Sequence, residues 1–209
     1  MGLLLAEELA LIAIDPHRGR RAMGTGDNLN ACLAGLLLVE LQLNDRPQSS
    51  VLDAAQHVAD EAGPKPKAVL SAMDRGLRRR LGSGTWDAVV GTLHQRGIVA
   101  PDGGKARPRT RVVDIAAREA IVTRLRHAAA TDDAVDPRTA ALLSMTGPAQ
   151  LLELVAPDRS ARRHARGRID HALDDTSLEP IGTAVRRVIA DAAAAVAAGS
   201  TAAAVVATS

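Results

Sequence analysis

Asn28-Leu29-Asn30-Ala31-Cys32-Leu33-Ala34-Gly35-Leu36-Leu37-Leu38-Val39-Glu40-Leu41-Gln42-Leu43 is the stretch that decides the fold. Its apolar residues fall on nearly every side of a helix rather than along one stripe. A helix without a polar face belongs in the middle of a bundle, with neighbours all round it. Asp27 or Asn28 can cap its start by accepting from the free N–H groups of the first turn. Asn44-Asp45-Arg46-Pro47 ends it, because proline disfavours the α conformation in the residue before it.

Working outward, residues 3–13 read as a short helix. Asp15-Pro16-His17-Arg18-Gly19-Arg20-Arg21 follows as a turn carrying a basic cluster, closed by Gly24-Thr25-Gly26. Downstream, helical spacing of apolar residues predicts helices over 51–62, 67–81 and 86–96. Gly63-Pro64-Lys65-Pro66 and Gly82-Ser83-Gly84-Thr85 separate them, the latter as loop and cap, and Gly97 stops the third. Residues 98–113 are the one expected β element. Ile98-Val99 and Val112-Val113 flank a Pro-, Gly- and Arg-rich connection whose tip carries Lys105, Arg107, Arg109 and Arg111. Residues 115–130 read as a helix. Asp136-Pro137 opens the next, proline being well placed at a first helical position. Gly147-Pro148 interrupts it, residues 149–155 make a short helix, and 160–173 and 180–198 make the last two. The expected fold is all-α: a multi-helix bundle around a buried central helix, with one short, wing-like β-hairpin. The expected organisation is one helical domain over 1–198 and a flexible tail over 199–209. No fixed-period repeat is visible.

Composition narrows the function. The chain has 209 residues, 41 of them alanine, with no Phe, no Tyr and one Trp, Trp86. Platforms on which single-stranded nucleic acid stacks need rings, and so do aromatic cages for quaternary ammonium. A many-stranded β fold is disfavoured, since alanine is depleted and aromatics enriched in strands. The 26 basic residues nearly balance 24 acidic ones. That is not the strongly basic footprint of a dedicated nucleic-acid binder. Twenty-three of the basic residues are Arg, which suits bidentate contact with phosphate. Cys32 is the single cysteine, so neither a disulfide framework nor a thiol metal cluster is expected. The N-terminus lacks the basic n-region of an export signal. The stretch after Asp191 is uncharged but mostly Ala, which contributes little to membrane insertion.

Catalytic constellations are missing from the sequence. Glu7-Glu8, Asp132-Asp133 and Asp174-Asp175 are adjacent acids, which point to different faces of a helix. They are expected at helix termini or in solvent. The six histidines, His17, His57, His94, His127, His164 and His171, never fall at i, i+4, although His164 and His171 lie two helical turns apart. There is no HExxH, no nucleophile elbow and no Walker loop. The chain is therefore expected not to be an enzyme and to need no metal or cofactor. The helix at 86–96 with the hairpin after it has a winged-helix outline. Its polar set of Asp87, Thr92, His94, Gln95 and Arg96 is thin for reading DNA. Basic clusters occur at Arg18/Arg20/Arg21, Arg78–Arg80, the wing and Arg162–Arg168. Each by itself suits a solvated face, and several on one surface would attract anionic headgroups.

The order of these elements resembles the Golgi phosphoprotein 3 family, including its actinobacterial members. The resemblance rests on Leu5-Ala6-Glu7-Glu8-Leu9, on Leu33-Ala34-Gly35-Leu36-Leu37-Leu38-Val39-Glu40-Leu41, and on Gly97-Ile98-Val99 before the hairpin. It continues in Asp136-Pro137-Arg138-Thr139-Ala140-Ala141-Leu142-Leu143 and in Ala184-Val185-Arg186-Arg187-Val188-Ile189. It implies a mostly helical, peripheral membrane protein. Eukaryotic members bind phosphatidylinositol 4-phosphate and act as adaptors for glycosyltransferases. That family's headgroup pocket uses a Trp and three Arg at positions that fall here on Thr25, Ala34, Ala134 and Pro137. None of the four matches. Arg20, Arg21 and Arg138 lie nearby in sequence and are the expected headgroup residues. The region around Gln150-Leu151-Leu152-Glu153-Leu154-Val155 corresponds to one that the family uses in self-association, although core packing is expected for its leucines. Trp86 is expected to pack rather than touch a ligand.

The reading that follows is a non-enzymatic, cytoplasmic, peripherally membrane-associated protein that binds anionic phospholipid headgroups through basic surface. A protein client and a second copy of the chain are further partners it allows, and nucleic acid is not expected. The alternatives are a winged-helix-like DNA-binding protein, or a protein-interaction domain that has lost lipid binding.

Overall fold

In the computed structural model, the description covers residues 2–21, 28–43, 47–103, 109–131, 133–174 and 176–191. The expected Asp27 cap, Thr25, the 44–46 turn, Lys105, Arg107, Asp132, Asp175 and the tail lie outside these residues. The helices are α1 (Leu5–Ala13), α2 (Asn28–Gln42), α3 (Ser50–Ala62), α4 (Pro66–Leu81) and α5 (Thr85–Gln95). After the hairpin come α6 (Ile115–Ala130), α7 (Pro137–Thr146), α8 (Leu152–Val155) and α9 (Arg159–His171). A last helix, α10, covers residues 179–191. The hairpin pairs β1 (Val99–Asp102) antiparallel with β2 (Arg109–Val112), from Val99 opposite Val112 to Asp102 opposite Arg109. The all-α reading with one short hairpin therefore holds. The short helix expected over 149–155 begins later, because residues 147–150 form a turn.

Helix α2 is central, as its sequence requires. Every residue from Cys32 to Glu40 is buried, and α1, α3, α4, α5 and α7 pack around it. Burial holds the Cys32 thiol protonated, with a pKa pushed up to about 12. Helix α1 shares the centre. All nine of its residues are buried, between α2, α5, α6 and α7. With no Phe or Tyr, the largest fully buried side chains are Leu, Ile and Met. Each such side chain stabilises the fold by about 1.5–3 kcal/mol relative to exposure. Leu151 and Val155 are buried, and Leu152 and Leu154 pack against the core, as expected.

Small residues let these helices approach closely. A Cβ on Gly76 of α4 would stand 2.3 Å from one methyl of Val58 on α3 and 3.0 Å from the other. Valine is stiff at χ1, so it cannot swing aside. Gly76→Ala is expected to cost about 1–3 kcal/mol by overpacking. Adding Val58→Ala should recover part of that loss. Thermal unfolding of the three proteins checks this, and an unchanged Tm for Gly76→Ala would contradict it. The start of α5 is held from outside the expected loop. The Asp74 carboxylate of α4 accepts from the Thr85 backbone N–H at 2.8 Å.

The acids of α1 stand in its first turn, at a helix terminus as expected, but they are buried rather than solvated. Glu7 is 1% exposed and Glu8 8%, and Glu40 of α2 is fully buried. Each meets an arginine distant in sequence: Glu7 pairs with Arg96 at 2.7 Å, Glu8 with Arg124, and Glu40 with Arg138 at 2.5 Å. The carboxylates also close the first turn of α1. Glu7 accepts from the Leu4 N–H and Glu40 from the Leu5 N–H, both at 2.9 Å. Burial raises the Glu8 carboxyl above its ordinary range, against the pull of Arg124. A buried acid is tolerated only when paired. The partners lie 89, 98 and 116 residues away, so no local pattern announces them.

Candidate functional site

Helix α7 starts where Asp136-Pro137 says it should. The Asp136 side chain accepts from the backbone N–H groups of Arg138 and Thr139, both at 3.0 Å. Burial alone would raise its carboxyl, but these hydrogen bonds and one from the Thr139 side chain outweigh burial and hold it below the usual range. The helix start is therefore capped by its own chain. Beside it lies α9, which buries Ala165 and Ile169 and turns a second face toward the α7 start. On that face His164, Arg168 and His171 follow at helical spacing.

The two segments enclose a cavity of about 600 Å³. Ala134, Val135, Pro137 and Leu143 form an apolar wall, and His164, Arg168 and His171 a basic one. One Arg168 terminal nitrogen (Nη2) donates to the Asp133 carbonyl at 2.9 Å. Its Nε is buried and has no hydrogen-bond partner. His171 Nδ1 contacts the Asp174 carboxylate, which raises the imidazole pKa above the ordinary histidine range. Asp133 also lines the cavity, so groups of both charge signs face it.

The expected headgroup residues are dispersed. Arg138 is committed inward, to Glu40 and to the Leu3 carbonyl at 2.9 Å. The Arg21 guanidinium lies 4.4 Å from the centre of the Trp86 ring. Arg20 is exposed and lines a different pocket, with His17, Arg18 and Arg109. Of the four positions that resemble the family pocket, Ala134 and Pro137 line the α7–α9 cavity, and Ala34 is buried inside α2. Trp86 packs against the core as expected, and also carries Arg21. The two-turn spacing of His164 and His171 was visible in the sequence. What these residues face was not.

The helix of the winged-helix outline is largely packed into the bundle, and the wing tip at Lys105 and Arg107 lies outside the described residues. Helix α5 packs against α1, α2 and α4, burying Ala88, Val89, Val90, Thr92 and Leu93. Its exposed Arg96 is held by Glu7 and by the Gly2 carbonyl. No helix among the described residues is long and apolar enough to cross a membrane. Among known families, the model described as Golgi phosphoprotein 3 (GPP34) matches residues 5–192 of the chain. No curated protein matches it.

Proposed function

We propose, from the premise that this chain belongs to the Golgi phosphoprotein 3 family, that it is a non-enzymatic, peripheral membrane-associated protein that binds anionic phospholipid headgroups. The observation that carries this reading is the cavity between the α7 start and α9, with the buried, unpartnered Arg168 Nε in its wall. A guanidinium presents N–H donors in a fork matched to phosphate oxygens. The apolar wall of Val135, Pro137 and Leu143 suits the glycerol end of a lipid. Family pocket residues at 134 and 137 are replaced by Ala and Pro, so the cations here come from α9 instead.

Co-sedimentation with vesicles tests it. The chain should bind phosphatidylcholine vesicles containing an anionic phospholipid, and not phosphatidylcholine alone, at low salt. Arg168→Glu removes one positive charge and adds a negative one. At about 1 kcal/mol per basic residue near the surface, the loss should be roughly thirtyfold. Protonated His171 adds positive charge opposite Asp133 and Asp174, beside His164 and Arg168. Its raised pKa keeps it charged to higher pH than a free histidine. Binding should therefore strengthen as pH falls through that pKa, and this gain should vanish in His171→Gln. Equal binding to neutral and anionic vesicles would refute the reading.

A further inference from the structure

A smaller cavity, of about 260 Å³, lies between the start of α1, the segment leading into α3 and the end of α5. It shares no lining residue with the α7–α9 cavity. Thr92, Gln95 and Arg96 stand three and four residues apart, so helical spacing puts them on one face at the end of α5. That face meets Glu7 of α1. Arg96 donates to Glu7 Oε2 at 2.7 Å and to the Gly2 carbonyl at 3.3 Å, which ties the two segments together. The third wall is the chain from Pro47 to Ser50, which enters α3 at Ser49.

Two polar groups in this cavity are unspent once the fold has been satisfied. The Glu7 side chain is 2% exposed, and its Oε2 accepts from both Arg96 and the Leu4 N–H. Its Oε1 has no hydrogen-bond or ion-pair partner among the described residues. Ser49 occupies the cap position of α3, but its side chain makes no cap hydrogen bond. Its Oγ is buried and has no partner among the described residues. Thr92 Oγ1 donates to the Val89 carbonyl at 2.7 Å and keeps its lone pairs for accepting. Gln48 and Gln95 are exposed at the cavity, each with donors and an acceptor in its amide. Buried polar groups are normally paired, so a free carboxylate oxygen and a free hydroxyl in one cavity call for an occupant. The space exceeds the roughly 30 Å³ share of one water several times over.

We propose that this cavity binds a small neutral polyhydroxyl molecule, of glycerol or monosaccharide size, through Glu7 Oε1, the Ser49 hydroxyl and the Gln95 amide. The two charged residues that line it, Glu7 and Arg96, are paired with each other, so the cavity carries no net charge. An anion would meet the free oxygen of Glu7, and a cation would meet Arg96. A hydroxyl is donor and acceptor at once. One ligand hydroxyl donates to Glu7 Oε1 while its neighbour accepts from Ser49. No aromatic ring lines the cavity, so a flat base has nothing to stack on. Its volume falls below the roughly 300–1,000 Å³ of drug-sized sites, which sets the size of the ligand. The proposal does not depend on the membrane reading above.

The test is saturation-transfer NMR and calorimetry on the full chain with glucose, mannose, galactose and glycerol at millimolar concentrations. Saturable binding of at least one of them is expected. Its affinity should not change with salt, because the ligand brings no charge to be screened. Ser49→Ala/Gln95→Ala should weaken it about tenfold or more, by removing hydrogen bonds to the ligand. Neither side chain makes a hydrogen bond among the described residues, so the double variant should keep the wild-type Tm. Arg168→Glu, in the other cavity, should bind the same ligand as the wild type does. Loss of vesicle binding in that variant with sugar or glycerol binding intact separates the two sites. No saturable binding of any of the four, binding unchanged in the double variant, or binding that weakens steeply with salt overturns the proposal.

Discussion

Glu40→Ala is expected to destabilise the fold by about 3–5 kcal/mol, the cost of removing one partner from a buried ion pair. Glu40 is fully buried, and its two oxygens serve two different donors. One takes the Arg138 guanidinium at 2.5 Å, and the other the Leu5 N–H at 2.9 Å. Alanine leaves both donors without an acceptor, and it does so between the two central helices. Arg138 retains the Leu3 carbonyl and some access to water, so its own loss is the smaller part. Glu40→Leu combined with Arg138→Met should recover much of the deficit, since apolar replacement of both partners is often neutral or stabilising. It should not recover all of it, because the Leu5 N–H at the start of α1 stays unsatisfied. Urea unfolding of the single and double variants measures this. A loss below about 1 kcal/mol for Glu40→Ala would show that the pair contributes no more than a surface contact.

Leu37→Ala is the second large effect, at about 3–5 kcal/mol. Leu37 is fully buried in α2, among helices on every side. The chain has no Phe or Tyr to close around the space left behind. Surrounding helices that approach through Gly35 and Gly76 are already in close contact with their neighbours, so collapse into the cavity is restricted. The comparison is Ile115→Ala on α6. Ile115 is 47% exposed, and its truncation should change stability by no more than about 0.5 kcal/mol. If both substitutions cost the same, α2 is not the centre of the core.

How far the sequence can be read differs between elements for physical reasons. Helix α2 was legible because burial on all sides demands apolar residues on all sides. The α7 start was legible because Asp-Pro carries its cap and its first-turn geometry within four residues. The helix-terminus placement of Glu7 and Glu8 was legible, but their burial was not, because two acids in an apolar run say nothing about Arg96 and Arg124. Arg138 was singled out as a ligand residue for its place next to the Asp-Pro segment. The structure pairs it with Glu40, which no sequence pattern announces. The α9 face was half legible: the two-turn spacing of His164 and His171 was plain, but not that Arg168 lies between them or which wall they meet.

The sequence by itself therefore determined the all-helical class, the helix at the centre, the hairpin and the family, since each rests on local periodicity, local capping or the order of short motifs. Only the tertiary structure decided which charges are neutralised and which remain available. Ion pairing depends on distance in space, and here the partners lie up to 116 residues apart along the chain. The same holds for both cavities: each is made by docking segments on one another, and no segment alone contains it.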